Sequence, residues 1–218
     1  MKEFSISMSL VDLIPVFMFG ISSILMQKDY YNKMPKGCYA LLAAGSIDVF
    51  IAGLGKALYK LLYALGICDF EPLDSMFFPV ESLGFLLEGM SLVAMVVILS
   101  RKSKKDKKAY SVAAAPMVWR GVPMFVTFMI IGTGCIFASL AIISARLKKK
   151  GLAVLMVIAF ICYLAMGYLS TKDFSSASMN WFAEGINILG QSGMLLAVYI
   201  HHKAGFGEMK EFPERESA

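Results

Sequence analysis

The sequence is short of charge, of histidine and of any cysteine pair. Only 17% of its 218 residues are Asp, Glu, Lys or Arg, against about 25% in an ordinary soluble domain. A soluble chain of this length needs more polar surface than that to cover one core. A soluble enzyme, a disordered chain, a coiled coil and a nucleic-acid-binding domain are therefore excluded. The two histidines, His201 and His202, are adjacent, so no HExxH or HxxxH pair can hold zinc. There is no P-loop, no complete GxGxxG and no Ser-His-Asp set. The four cysteines, Cys38, Cys68, Cys135 and Cys162, lack CxxC spacing and read as small hydrophobes, not as a disulfide or zinc framework. The sixteen methionines form no Met-x-x-Met cluster. No cofactor and no metal are expected.

What the chain has is apolar material. Hydrophobic residues make up 58% of it, and its mean hydropathy is +0.67. This excess must face something other than water, and a bilayer is the solvent that fits. Continuous apolar runs, without two-residue alternation, give helices and exclude a membrane barrel. The expected fold is all-α, a polytopic transmembrane helical bundle. Six blocks approach or exceed the length of about 20 residues that a crossing helix needs: 8–26, 37–67, 76–100, 116–145, 151–170 and 178–200. The first is read as a retained span, because Met1-Lys2-Glu3 is a weak signal-peptide start and no A-x-A site follows. The chain divides into a first three-helix half (1–100), a basic cytoplasmic linker (101–115), a second half (116–200) and a polar, loose C-terminal tail (201–218).

Net charge is +5, and most bases sit in three runs between apolar blocks: Lys28 to Lys36, Arg101 to Lys108 and Arg146 to Lys150. Such runs flank membrane spans and set orientation. The acidic turn Cys68-Asp69-Phe70-Glu71-Pro72-Leu73-Asp74 then lies on the opposite side. Six spans conflict with this rule, because they place Arg146 to Lys150 on the acidic side. The conflict disappears if residues 109–145 cross twice, which makes seven spans. Six is the preferred reading, and seven stands as the alternative.

The halves share an order of features. Each has an Asp-Phe turn, Asp69-Phe70 and Asp173-Phe174, and a third span that opens with aromatics and a glutamate. An offset of 103 positions puts Glu81 on Glu184, Glu88 on Gln191, Leu92 on Leu195 and Ala94 on Ala197. A 3+3 internal repeat is expected, inverted if the spans number six and parallel if they number seven.

An ionised side chain at the bilayer centre costs about 2.5–3.5 kcal/mol on insertion scales, so the polar residues inside the blocks are informative. Asp12, Lys60 and Arg120 fall near predicted ends and read as headgroup anchors. Phe77, Phe78, Trp119, Trp181 and Phe182 read as an interfacial belt. Glu81 and Glu88, seven residues apart, share one helix face with Gly84 and Ser91. Glu184, Asn187 and Gln191 form the same kind of stripe on the last helix. Asp48 lies on the small-residue face of the second span, at the depth of Glu88. Depth also suggests a Lys56–Glu81 ion pair. Stripes of this polarity should face the bundle interior. The expected ligand-binding set is Glu81, Glu88, Glu184, Asn187, Gln191 and Asp48.

These observations lead to three functional expectations. The first is a small plasma-membrane transporter or channel-like protein that binds a small polar or cationic solute, or protons, in an intramembrane acidic cavity. The second is a membrane-embedded sensor or accessory subunit that docks a protein partner through its basic loops. The third, and the least supported, is an intramembrane lipid-modifying enzyme using two glutamates as base and acid. The partners expected are the bilayer, the solute and, in the second case, that protein; nucleic acid is not among them.

Overall fold

The computed structural model describes residues 5–104, 122–169, 177–209 and 212. Among them every regular element is helical: α1 (Ile6–Val11), α2 (Leu13–Tyr30), α3 (Lys36–Ala64), α4 (Glu71–Lys104), α5 (Val122–Arg146), α6 (Lys150–Leu169) and α7 (Ala177–Lys203). Two short 3₁₀ turns, Tyr31–Lys33 and Phe206–Glu208, complete the set.

The helix boundaries follow local chemistry. Ser5 caps α1, its hydroxyl accepting the Met8 N–H at 3.2 Å. The break at Asp12 has a cause in Pro15, which lacks the N–H that would bond the Val11 carbonyl. Pro35 precedes the first residue of α3 and presets its entry. Lys148 takes a left-handed conformation (φ 60°) between α5 and α6. The Lys149 N–H reaches back to the Ser144 carbonyl there and closes a tight turn.

Among the described residues, five helical stretches are long and apolar enough to cross a membrane: Ile6–Lys33, Lys36–Ala64, Glu71–Arg101, Met124–Arg146 and Lys150–Leu169. Their outward faces are apolar. Phe17, Ile21 and Ile24 on α2, Ile47 and Ile51 on α3, and Val154, Val157, Ile158 and Ile161 on α6 are all exposed. Glu88, Glu184, Gln191, Lys60 and Asp12 are buried instead. This inversion of the soluble pattern is what a bilayer solvent selects, and the protein is a multi-pass membrane protein. The helix α7 is as long as the others, and its polar stripe, Glu184, Asn187 and Gln191, lowers its apolarity.

The long helices form a closed ring in which α2, α3, α4, α5, α6 and α7 each pack on the next and α7 returns to α2. Directions follow from matched pairs. Helices α2 and α3 are antiparallel, with Gly20 against Phe50 and Gly53 against Val16. So are α3 and α4, with Gly45 against Glu88 and Gly55 against Leu73. Helices α4 and α5 are parallel: Phe78 meets the Phe125 ring at 6.5 Å, and further along Gly132 meets Phe85 and Gly89 meets Cys135. The last described turn of α4 and the first of α5 therefore lie at opposite ends of the bundle, and residues 105–121 lie outside the described residues. Helices α5 and α6 are antiparallel, Gly167 lying against Met129 and Gly134 against Phe160. Helices α6 and α7 are antiparallel too, Tyr163 lying against Gly190 and Ala159 against Gly193.

Among the described residues the triplets α2–α3–α4 and α5–α6–α7 run in the same sense, so an inverted 3+3 arrangement is not present there. Lys28, Lys36, Arg101, Arg146, Lys148–Lys150 and Lys203 gather at one end of the bundle, and Asp69, Glu71 and Asp74 lie at the other. Cys68 is exposed at the acidic end. An impermeant maleimide applied to sealed vesicles should therefore reach Cys68 and a Lys149→Cys variant from opposite faces. Labelling of both from one face would support the six-crossing arrangement.

The tail differs from expectation. Gly205 ends α7 in a left-handed conformation (φ 72°) that a side chain would strain. The chain then folds back. Phe206 is 1% exposed, its ring 5.5 Å edge-on from Tyr30. Lys33 donates to the Met209 carbonyl and lies over the Phe206 ring. Arg146 lies over the Phe212 ring. Residues 205–209 and Phe212 thus form a docked cap on the basic end, in place of a loose polar tail. Residues 210, 211 and 213–218 lie outside the described residues, as do most of the 101–115 linker, Trp119, Arg120 and the Asp173-Phe174 turn.

Candidate functional site

Helix α4 brings Glu81, Gly84, Glu88 and Ser91 to one face. Two turns of about 5.4 Å separate the glutamates. This face packs against α3 so closely that a Cβ on Gly45 would lie 2.5 Å from the Gly84 carbonyl oxygen and 2.7 Å from the Glu88 nitrogen. Near the basic end Ser91 donates to the Cys38 carbonyl at 2.7 Å and holds the register. Close approach of backbones is the usual role of small residues between membrane helices.

A polar cavity of about 60 Å³ opens among α2, α3, α4, α6 and α7, in the half of the bundle nearer the acidic end. Its lining includes Asp12, Lys56, Glu81, Tyr163, Glu184, Asn187 and Gln191, with Phe19, Phe50 and Phe77 as apolar walls. A water needs roughly 10–15 Å³ of such space, so the cavity suits a few waters or one small solute. Two larger cavities, of about 250 and 360 Å³, are lined mainly by apolar side chains such as Met129 and Ile130, or Ile21 and Leu195. They offer little to a charged ligand.

An ionic cluster forms at the mouth. Lys60 Nζ lies 2.5 Å from Asp12 Oδ2 and 3.6 Å from Glu184 Oε1, and all three side chains are about 5–6% exposed. One ammonium thus joins α3 to α2 and α7, and neither Asp12 nor Lys60 is a headgroup anchor as the sequence suggested. Lys56 lies over the Phe77 ring, 4.3 Å from its centroid. It shares the cavity with Glu81, but among the described residues the two form no direct ion pair. The expected Lys56–Glu81 bridge is replaced by a shared chamber.

Of the six expected ligand residues, four line the cavity: Glu81, Glu184, Asn187 and Gln191. Gln191 Oε1 is buried without a hydrogen-bond partner. Glu88 lies deeper and outside the lining, fully buried, with neither carboxylate oxygen hydrogen-bonded. Asp48 is not in the site. It is half-buried at the α3–α4 crossing, where its Cβ meets Gly84.

Sequence reasoning missed Asp12, Lys60, Lys56 and Tyr163 as site residues. For Asp12 and Lys60 the available signal was charge balance, because a buried Glu184 calls for a cation. For Tyr163 it was one of only two hydroxyls in the most apolar span. Among the described residues no group of three or more His, Cys, Asp or Glu side chains is placed to hold a metal ion. No family model, curated protein or solved structure matches the chain.

Proposed function

We propose that this protein is a small transporter or channel-like protein of the plasma membrane that takes a small polar or cationic solute, or protons, into the cavity between α4 and α7. The observation that carries this reading is the cavity itself. It sets Glu81, Asn187 and Gln191 around water-sized space inside an apolar bundle, where an unfilled polar lining is unfavourable. Asp12 and Glu184 are already engaged by Lys60, which leaves Glu81 as the carboxylate available to a solute. The amides of Asn187 and Gln191 would orient it.

In this reading α7 is a further crossing. It runs beside α2, from the Asp12–Lys60–Glu184 cluster at one end to the Asp29–His202 contact of 2.9 Å at the other. The two triplets would be a parallel repeat, with the cavity at their junction, a common place for transporter sites. Motion would be one triplet rocking on the other. The basic end would face the cytoplasm.

Uptake of radiolabelled methylammonium into proteoliposomes tests the proposal. The purified protein should raise uptake above that of protein-free vesicles. Glu81→Gln should lower it by about tenfold or more, the loss of one hydrogen bond to a charged group. Uptake equal to protein-free vesicles, or unchanged by Glu81→Gln, would count against a cation site there.

A further inference from the structure

Beneath the cavity the bundle holds a second polar feature. Glu88 is 0% exposed, and both its carboxylate oxygens are buried without a hydrogen-bond partner. The hydroxyls of Tyr163 and Tyr30 are also buried and unpartnered. These groups form an ordered series. Tyr163 lines the cavity, and its ring packs edge-on against Phe85 at 5.8 Å. Phe85 lies between Glu81 and Glu88 on α4, which sets Tyr163 level with the interval between the two glutamates. Its hydroxyl is within electrostatic range of both. Tyr30 is within range of Glu88 on the far side and reaches the basic end, where its ring meets Phe206.

Each unsatisfied buried polar group costs roughly 1–3 kcal/mol. Four of the ten buried, unpartnered side-chain atoms among the described residues fall in this one series, and they call for an explanation beyond packing. The surroundings narrow the occupant. Tyr30 from α2 and Tyr163 from α6 are within electrostatic range of Glu88, Cys135 of α5 lies against Gly89, and Asp48 of α3 lies against Gly84, one turn from Glu88. On α7 His201 lies toward the basic end, its Nε2 bonded to Ser144 at 2.8 Å. No cation pairs with Glu88 among the described residues. Glu88 is not among the residues that line the polar cavity, and a proton needs no space of solute size.

We propose that Glu88 is a proton-binding site in the middle of the bundle, loaded from the polar cavity past Tyr163 and discharged toward the basic end past Tyr30. The proposal rests on the cavity reading, which supplies the aqueous entrance. On loading, a hydronium in the cavity gives a proton to Tyr163 Oη while the original hydroxyl proton passes to a Glu88 carboxylate oxygen. The products are water, an unchanged tyrosine and a carboxylic acid. On discharge the same exchange at Tyr30 returns the carboxylate and delivers the proton toward water at the basic end. No bond other than O–H forms or breaks.

Proteoliposomes loaded with the pH dye pyranine, under a potassium diffusion potential set by valinomycin and with no solute added, provide the test. Wild-type vesicles should acidify faster than protein-free ones. Glu88→Gln should fall to the protein-free rate, Glu88→Asp should keep part of the flux, and Tyr163→Phe should slow it by about tenfold. Infrared difference spectra of the wild type should show a carboxylic-acid carbonyl band that shifts in heavy water and changes with pH. That band should be missing in Glu88→Gln. If Glu88→Gln does not fold, the wild-type band and the Tyr163→Phe flux decide. A wild-type rate equal to protein-free vesicles, a Glu88→Gln rate equal to wild type, or no titrating carboxyl band would overturn the proposal. Methylammonium uptake with no proton flux would remove the relay and leave the cavity reading standing; the converse result would do the opposite.

Discussion

Lys60→Met is expected to destabilise the folded protein by about 3–5 kcal/mol, the usual penalty for removing one partner of a buried ion pair. Methionine keeps much of the side-chain volume and removes the ammonium. Asp12 and Glu184, each about 5% exposed, would then face each other across the cavity mouth with no cation between them. Because Lys60 joins three helices, the loss falls on the closure of α2 and α7 onto α3. Thermal unfolding in detergent, followed by the monodisperse fraction on a sizing column, reads the effect. A triple variant, Asp12→Asn with Glu184→Gln and Lys60→Met, should recover most of it, since no uncompensated charge remains. A Lys60→Met protein with wild-type stability would mean that the cluster is solvated and carries little of the fold. So would a triple variant no better than the single.

Gly45→Val is expected to be the other severe substitution. The new Cβ would lie 2.5 Å from the Gly84 carbonyl oxygen and 2.7 Å from the Glu88 nitrogen. Both are backbone atoms, which cannot swing aside as the tip of a side chain can. Overpacking in a close-packed interior costs about 1–3 kcal/mol even where side chains absorb it, and here α3 and α4 must separate. The separation would displace Glu81 and Glu88 together, so loss of stability and loss of flux should appear in one variant. Gly151→Ala is the control. Nothing lies within 4 Å of the Cβ it would add, and replacing a helical glycine by alanine should leave stability equal or raise it by about 0.5–1 kcal/mol. Equal behaviour of the two variants would show that the α3–α4 crossing is looser than the geometry implies.

Much of the fold was legible in the residues because bilayer helices carry strong local signals. The block at 151–170 and the helix Lys150–Leu169 agree closely, since an uninterrupted apolar run allows no alternative. The stripe Glu81–Gly84–Glu88–Ser91 faces inward as its spacing required, because a lipid-facing carboxylate is too costly. The direction of α5 was not legible. Hydropathy marks where a segment crosses and carries no sign for which way; only charge asymmetry hinted at it, through the misplaced run Arg146 to Lys150. The docked tail was missed because Phe206 and Phe212 stand alone among polar residues, and their burial depends on Lys33, Tyr30 and Arg146 meeting them from distant parts of the chain.

The sequence by itself determined the solvent, the helical class and the carboxyl-bearing faces, because each follows from transfer free energies summed over neighbouring residues. Only the tertiary structure decided which charges meet. It took Asp12 and Lys60 away from the headgroups and joined them to Glu184, it left Asp48 outside the cavity lining, and it set Tyr163 on the cavity wall against Phe85. The reason is physical. Burial can be read one helix at a time, whereas a Coulombic partner or a shared cavity depends on rotation and direction of several helices at once, and these are fixed only by packing such as that of Gly45 on Gly84.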